Sequence, residues 1–155
     1  MQSTALLLHN IRSAHNVGSL FRTSDGAGIS HVYLSGYTPL PIDTLGRVQK
    51  EIAKTALGAE NNIQWTHTKN VTSRITQLKK EGWHIVGIEQ AKNAIDYRLF
   101  TPKEKTLFIL GNEVLGISAS LLQQCDTIVS IPMHGAKESL NVSIAGGIVL
   151  FQYAK

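Results

Sequence analysis

The chain has 155 residues, of which 43% are hydrophobic and 17% charged, so it is long enough for one compact domain and too short for two. A single cysteine, Cys125, excludes an internal disulfide framework and a multi-cysteine metal site. No apolar run approaches the ~20 residues of a membrane span, and the first residues lack the basic-then-apolar order of a signal peptide. These features predict a cytoplasmic protein with no membrane segment and no metal centre.

The net charge is +4, and the basic excess lies in the first half of the chain. Residues 1–80 contain nine Lys and Arg against four acidic residues, whereas residues 81–155 contain six against seven. A surface of this charge favours a polyanion such as RNA as a partner. An ordinary solvated basic face explains the charge equally well.

The chain opens with a short apolar strand at residues 5–8, followed by a polar loop and a helix predicted over residues 16–27. Within this helix, Gly18, Arg22 and Gly26 follow one another at intervals of four. Positions spaced in this way share one helix face, so Arg22 projects from a face that carries little other side chain.

The rest of the chain alternates between apolar strands and amphipathic helices. Uniformly apolar strands between helices predict an α/β domain with a mostly parallel sheet and helices on both faces. Because threaded chains are rare, the pattern by itself predicts an unknotted sheet. The predicted strands are residues 31–34, 84–88, 107–110 and 127–131, with a short extended segment at Trp65, and the predicted helices are residues 48–57, 71–81, 118–124 and a final one that begins near Ser139 or Asn141.

The final helix has almost no polar face from Asn141 onward. A helix that is apolar all round is either buried or covered by a partner. Ser139 and Asn141 form a small polar cluster at its start, where backbone N–H groups point outward. This arrangement predicts a binding site at the mouth of the helix.

Polar side chains follow four predicted strands at their carboxyl ends, which is where ligands of open parallel sheets bind. Their positions predict one shared site. Motifs for dinucleotides (GxGxxG), for phosphate-binding loops (GxxxxGK[ST]) and for a nucleophile elbow (GxSxG) are absent from the sequence, and no two histidines lie at metal-ligand i, i+4 spacing. The strand-end residues are Asn16, Arg22, Glu89, Gly111, Asn112, Glu113, Met133, Ser139 and Asn141.

Three blocks carry a resemblance to a known family: NIRSAHNVGSLFRTSDGAG at residues 10–28, LFILGNEVLGIS at 107–118 and IPMHGAKESLNVSIAGGIVL at 131–150. In order and spacing they resemble the motifs of the SpoU (TrmH-like) class of SPOUT RNA methyltransferases, over nearly the whole chain. The resemblance implies that residues 1–155 form a single methyltransferase domain without a separate RNA-binding extension. It also implies an α/β fold with a C-terminal trefoil knot, a homodimer, and methyl transfer from S-adenosylmethionine to a ribose 2′-hydroxyl of tRNA or rRNA.

The same resemblance implies which residues form the site. The implied catalytic residues are Asn16, Arg22, Glu113, Ser139 and Asn141. The implied S-adenosylmethionine pocket consists of Glu89, Leu110, Gly111, Ile131, Met133, Ser139, Leu140 and Asn141. The candidates for RNA contact are Arg12, Arg22, Arg47, Lys50 and Lys54, each of which is equally well explained as a solvated charge.

Several alternatives remain open at this point. A guanidinium holds its proton with a pKa above about 12, so Arg22 is better suited to bind phosphate or a developing alkoxide than to act as the base. Structural alternatives are an ion pair of Arg22 with Asp25, capping by Glu113 of the helix near Ser118, and a plain capping role for Asn141. The alternative functions are an RNA-binding knotted protein without catalysis and a nucleotide-binding module with a small-molecule substrate.

Overall fold

The computed structural model describes residues 2–154 of the chain. The strands in that part are β1 (Ser3–His9), β2 (His31–Ser35), β3 (Trp65–Thr68), β4 (His84–Ile88), β5 (Ile95–Asp96), β6 (Lys105–Leu110) and β7 (Thr127–Ser130). They form one sheet in the spatial order β3-β2-β1-β6-β4-β7-β5, and every neighbouring pair is parallel. The predicted parallel α/β sheet is confirmed.

Helices cover both faces of this sheet. Alternate residues of β1 point to opposite faces: Leu6 is buried in one core cluster with Leu20, and Leu7 in a second cluster with Leu78. The predicted two-sided cover is therefore confirmed. The helices are α1 (Ala14–Gly26), α2 (Lys50–Ala56), α3 (Ala59–Asn62), α4 (Val71–Lys80), α5 (Ala119–Leu122) and α6 (Val142–Gln152), with a 3-10 turn at Tyr97–Leu99.

Two predicted helix starts are wrong by two residues. Helix α1 begins before Asn16, because the side chain of Ser13 accepts the Asn16 N–H at 3.2 Å and makes Ser13 the N-cap. Asn16 thus lies in the first turn, two residues after the first helical residue rather than at that position. Helix α2 begins after Val48, since Val48 pairs with Ile42 in an isolated antiparallel bridge.

Three short elements were not predicted from the sequence. Strand β5 has two residues, α3 has four and the 3-10 turn has three, which is too little chain for a period to be read. The ends of α4, α5, β6 and β7 differ from the predicted ends by one or two residues. Differences of this size are ordinary at frayed termini.

Helix α6 begins after Asn141, which confirms one of the two predicted starts and makes the start at Ser139 wrong. Asn141 Oδ1 accepts the Ser143 N–H at 2.9 Å. The buried side of α6 needs a glycine: a Cβ on Gly146 would lie 2.6 Å from a methyl carbon of Leu20 and 2.9 Å from one of Leu110. Gly146 therefore lets α6 pack closely on α1 and on the sheet.

The strand order changes direction between β1 and β6, where loops diverge at the carboxyl edge of the sheet. Such a switch point leaves a crevice that commonly holds a ligand in α/β proteins. The helix that follows β1 and the helix that follows β6 pack on opposite faces of the sheet, since Leu20 of α1 lies in the cluster with Leu6 and Leu121 of α5 in the cluster with Leu7. The C-terminal trefoil knot implied by the resemblance is compatible with this strand order and stays a prediction.

Candidate functional site

The loops after β1, β6 and β7 meet through three side chains. The carboxylate of Glu113 accepts the backbone N–H groups of Arg12 and Ser13, both at 2.9 Å. Its Oε1 also accepts the side-chain amide of Asn16 at 3.2 Å. Asn16 Oδ1 in turn accepts from Nδ2 of Asn141 at 3.4 Å. Three of the five implied catalytic residues therefore lie together within one subunit, as the strand-end pattern predicts.

Glu113 anchors the start of α1 from a loop 100 residues away in sequence. Partial burial raises the pKa of Glu113, but the N–H groups of Arg12 and Ser13 outweigh it and leave the pKa below its ordinary value. The alternative of capping near Ser118 is wrong, because Ser118 Oγ itself accepts the Leu121 N–H at the start of α5. A carboxylate that is ionised and already occupied is suited to position α1 rather than to accept a proton.

A cavity opens beside this junction, with an empty volume of about 690 Å³ including the space at its mouth. Its walls combine apolar side chains with the carboxylates of Glu89 and Glu113, and none of its lining residues is basic. The lining residues are Ile88, Glu89, Gln90, Leu110, Gly111, Asn112, Glu113, Val114, Leu115, Gly116, Ser130, Ile131, Ser139, Leu140, Val142 and Ala145.

Most of the implied pocket residues line this cavity, but Met133 and Asn141 do not. Asn141 contacts the junction through Asn16 instead. Met133 is half-buried in the loop that joins β7 to α6. Ser139 is exposed at the mouth of the cavity.

Glu89 and Gln90 brace the cavity wall, and sequence reasoning missed Gln90. The carboxylate of Glu89 accepts the Ile117 N–H and the Gln90 N–H, both at 2.8 Å. The Gln90 side-chain amide donates to the carbonyl of Ile131 at 2.7 Å. A Cβ on Gly116 would lie 2.2 Å from Glu89 Oε2, so that glycine is required for the contact. Glu89 thus supports the loop after β6 as well as lining the cavity.

Asn112 is a second residue to which sequence reasoning gave no role. It is buried, and its side-chain amide donates to the Asn10 carbonyl at 3.1 Å and to the Tyr37 hydroxyl at 2.9 Å. Its Oδ1 accepts the N–H groups of Val114 and Leu115 at 2.9 and 2.8 Å. The available signal was its place directly after a buried strand. Asn112 therefore fixes the loops after β1, β2 and β6 to one another.

Arg22 is not part of the junction in this subunit. It is exposed on α1 and does not line the cavity. It lies six residues beyond Asn16, which is about 9 Å along a helix axis. Among residues 2–154 it forms no ion pair with Asp25, so that structural alternative is wrong.

The other basic candidates lie around the first half of the chain. Arg12, Lys50 and Lys54 are exposed, and Arg12 also borders a second, open cavity next to the first. Arg47 Nε donates to Asp43 at 2.7 Å, four residues earlier in the same loop. An exposed pair of this kind contributes little to stability.

Helix α6 is buried on one side only. Val149 and Leu150 are enclosed, whereas Ile144, Ile148 and Phe151 are exposed. The sequence predicted that a helix apolar all round is either buried or covered by a partner. In this subunit one side of α6 is buried and the other is exposed. The exposed apolar side borders α1, since a Cβ on Gly26 would lie 3.1 Å from the Phe151 ring.

Neither a membrane-spanning helix nor a group of three or more metal-binding side chains is present in the described part of the chain.

Comparison with known proteins finds a family model and individual relatives that match this chain. The model of the SpoU rRNA Methylase family matches residues 3–151. A protein of Staphylococcus saprophyticus assigned to the TrmH family of tRNA/rRNA methyltransferases is 32% identical over 150 residues, which are 97% of this chain and 57% of that protein.

Solved structures agree with this result. An AdoMet-bound rRNA methyltransferase from Sinorhizobium meliloti superposes with a TM-score of 0.88 at 28% identity, covering 97% of this chain and 55% of that one. An A. aeolicus TrmH/SpoU tRNA modifying enzyme superposes with a TM-score of 0.86 over 99% of this chain and 75% of that one, and at 23% identity it supports the fold alone. The chain spans somewhat more than half the length of the curated relatives it matches. The family model covers nearly all of the chain, which therefore belongs to the SpoU rRNA Methylase family.

Proposed function

We propose that this chain transfers a methyl group from S-adenosylmethionine to a ribose 2′-hydroxyl of tRNA or rRNA. The observation that carries the proposal is the junction of Asn16, Glu113 and Asn141 at the rim of an acidic cavity. Membership of the SpoU family supports the reaction class. The likeness to an AdoMet-bound rRNA methyltransferase supports the methyl donor.

The cavity fits a cationic nucleoside. When bound, S-adenosylmethionine supplies a methyl carbon on positively charged sulfur, and a neutral thioether leaves. Glu89 and Glu113 would supply two carboxylates that favour a positively charged ligand, and the apolar side chains of Leu110, Ile131 and Leu140 would hold its uncharged parts. Gly111 lets the loop after β6 fold back closely beside the cavity, since a Cβ there would lie 2.5 Å from the Gly116 carbonyl oxygen. Ser139, Met133 and Asn141 stay predicted ligands.

The chain's own residues orient the acceptor and handle its charge. Asn16 and Asn141 present amide groups at the rim, where they hold the ribose in line with the cavity. Arg22 stabilises negative charge on a phosphate or on the developing 2′-alkoxide. The proton leaves to water or to an RNA phosphate, because Glu113 is already engaged with α1.

A homodimer brings Arg22 to the reaction. The exposed apolar side of α6, formed by Ile144, Ile148 and Phe151, is continuous with the face of α1 that carries Arg22. A second copy of the chain covers this surface, and Arg22 then acts across the interface at the cavity of the other subunit. Mixing Arg22→Ala with the cavity-blocked variant Ala145→Trp tests this arrangement. Mixed dimers regain activity if Arg22 works in trans and stay inactive if it works within one subunit.

The decisive experiment is methylation of RNA by the purified protein. We expect label from methyl-tritiated S-adenosylmethionine to enter unfractionated tRNA or rRNA, and nuclease digestion with mass spectrometry to find 2′-O-methylnucleosides. Base-methylated nucleosides would contradict the ribose assignment. Cofactor and RNA binding without transfer would favour the RNA-binding protein without catalysis. Turnover in the absence of RNA would favour a small-molecule substrate.

A further inference from the structure

A second, open cavity lies next to the proposed methyl-donor cavity. It is lined by Arg12, Tyr37, Asn112, Val114 and Leu115. The last three residues also line the first cavity, so the two share a wall. A group seated in the second cavity therefore lies beside the site where the methyl group is transferred.

The ring of Tyr37 is exposed yet firmly held. It is 57% exposed, while its hydroxyl accepts from Asn112 Nδ2 at 2.9 Å. Its backbone N–H donates to Asn10 Oδ1 at 3.2 Å, and Asn10 itself adopts a left-handed backbone with a φ of 57°. The preceding Gly36 has to be glycine, because a Cβ there would lie 1.8 Å from Asn10 Oδ1. An aromatic face fixed in this way loses little conformational entropy when it stacks on a ligand.

The rest of the cavity combines apolar and cationic groups. Val114 and Leu115 are 84% and 82% exposed, although Asn112 fixes both of their backbone N–H groups. The backbone of Arg12 is held by Glu113, while its side chain is exposed and forms no ion pair in the described part of the chain. An aromatic ring, two apolar side chains and a free guanidinium are what single-stranded RNA requires for stacking and for phosphate contact.

We propose that this second cavity, formed by Arg12, Tyr37, Asn112, Val114 and Leu115, takes a nucleobase of the RNA next to the methyl-acceptor ribose. The base stacks on Tyr37 and contacts Leu115, while Arg12 binds an adjoining phosphate. The inference rests on the proposed function, because an RNA substrate must be present for a base to bind. Asn112 is the positioning residue, since it holds the stacking ring and the apolar loop together.

Binding of fluorescein-labelled unfractionated tRNA and labelled rRNA fragments tests the proposal. Tyr37→Ala is expected to weaken RNA binding about tenfold, the effect of losing one stacked base. Tyr37→Phe keeps the ring and is expected to bind within about twofold of the wild type. Stacking on Tyr37 involves no charged group, so Tyr37→Ala should leave the salt dependence of RNA binding unchanged. Arg12→Ala should instead lower the slope of log binding constant against log salt concentration by about one phosphate contact.

Matched leucines supply the control. Leu115→Ala is expected to weaken RNA binding, whereas Leu99→Ala should not, since Leu99 is 78% exposed and lines neither cavity. Equal binding by wild type and Tyr37→Ala overturns the base site alone, and absence of RNA binding and methylation in the wild type overturns the proposed function with it. A Tyr37→Phe variant as weak as Tyr37→Ala overturns stacking in favour of the hydroxyl contact. Dissociation of the dimer by Leu115→Ala, seen by sedimentation, overturns the base site in favour of a self-interface.

Discussion

Glu113→Gln tests whether one carboxylate holds the three strand-end loops together. The substitution keeps size and shape but replaces one acceptor oxygen with an NH₂ group. Glu113 Oε1 accepts from Ser13 and Asn16, and Oε2 accepts from Arg12, so a glutamine that keeps its carbonyl oxygen at the Oε1 position turns its NH₂ group toward the Arg12 N–H, from which it cannot accept. It also removes a negative charge from the N-terminus of α1, where such a charge is favourable.

The expected loss of unfolding free energy follows from these contacts. A hydrogen bond to a charged group contributes about 1.5–3 kcal/mol, and the lower end applies because Glu113 is only partly buried. We therefore expect Glu113→Gln to lose about 1–2 kcal/mol in urea unfolding, which corresponds to a melting point lower by about 2–8 °C for a chain of this size. Glu138→Gln is the matched control, since Glu138 is exposed and has no hydrogen bond or ion pair among the described residues.

The pH dependence gives the reasoning a second test. The pKa of Glu113 in the folded chain lies below its ordinary value of 4.5. At a pH between these two pKa values, Glu113 is therefore more protonated in the unfolded chain than in the folded one. The stability that Glu113 adds is then complete above pH 4.5 and falls away as the pH drops through the folded pKa. The difference in unfolding free energy between the wild type and Glu113→Gln should become smaller over that pH range. An equal loss in Glu138→Gln, or a gap that widens with acid, would refute the reasoning.

Three further predictions follow from packing and charge. Gly146→Ala should lower the free energy of unfolding by about 1–3 kcal/mol through overpacking against Leu20. Gly147→Ala should raise it by about 0.5–1 kcal/mol, because its Cβ would meet nothing closer than 3.9 Å. Urea unfolding of the two variants measures both changes. Arg22→Ala should abolish RNA methylation and leave S-adenosylmethionine affinity unchanged in calorimetry, and normal turnover would contradict its role. Ile148→Asp should convert the dimer to monomer in analytical ultracentrifugation, because it places a charge on the exposed side of α6.

The layered α/β fold was predictable because its strands are continuous apolar runs. Leu6, Leu7 and Leu8 sit in a strand buried on both faces, so hydrophobicity alone marks the strand and its two-sided cover. Capping chemistry likewise limited the start of α6 to Ser139 or Asn141, and the structure places it after Asn141. At α1 the predicted start at residue 16 did not rest on capping and missed the cap at Ser13, which the hydrogen bond to the Asn16 N–H identifies.

The contacts that assemble the site could not be predicted from the sequence. Glu113 meets Ser13 across 100 residues and Asn112 meets Tyr37 across 75, and no local period relates such positions. Strand-end placement predicted which loops converge, since parallel strands bring their carboxyl ends to one edge. It could not predict that Glu113, which lines the cavity, would also accept hydrogen bonds from the start of α1.

Helix α6 shows why the position of Arg22 cannot be derived from one subunit. Its sequence is apolar all round, and hydrophobicity does not distinguish burial by the chain's own sheet from burial by a second copy. Val149 takes the first environment, whereas Ile148, one residue earlier, is 36% exposed. The face that carries Ile148 is continuous with the one that presents Arg22, since Phe151 packs beside Gly26 of α1. We propose that a dimer whose interface completes the site accounts both for this exposed apolar surface and for a cation that does not line its own cavity.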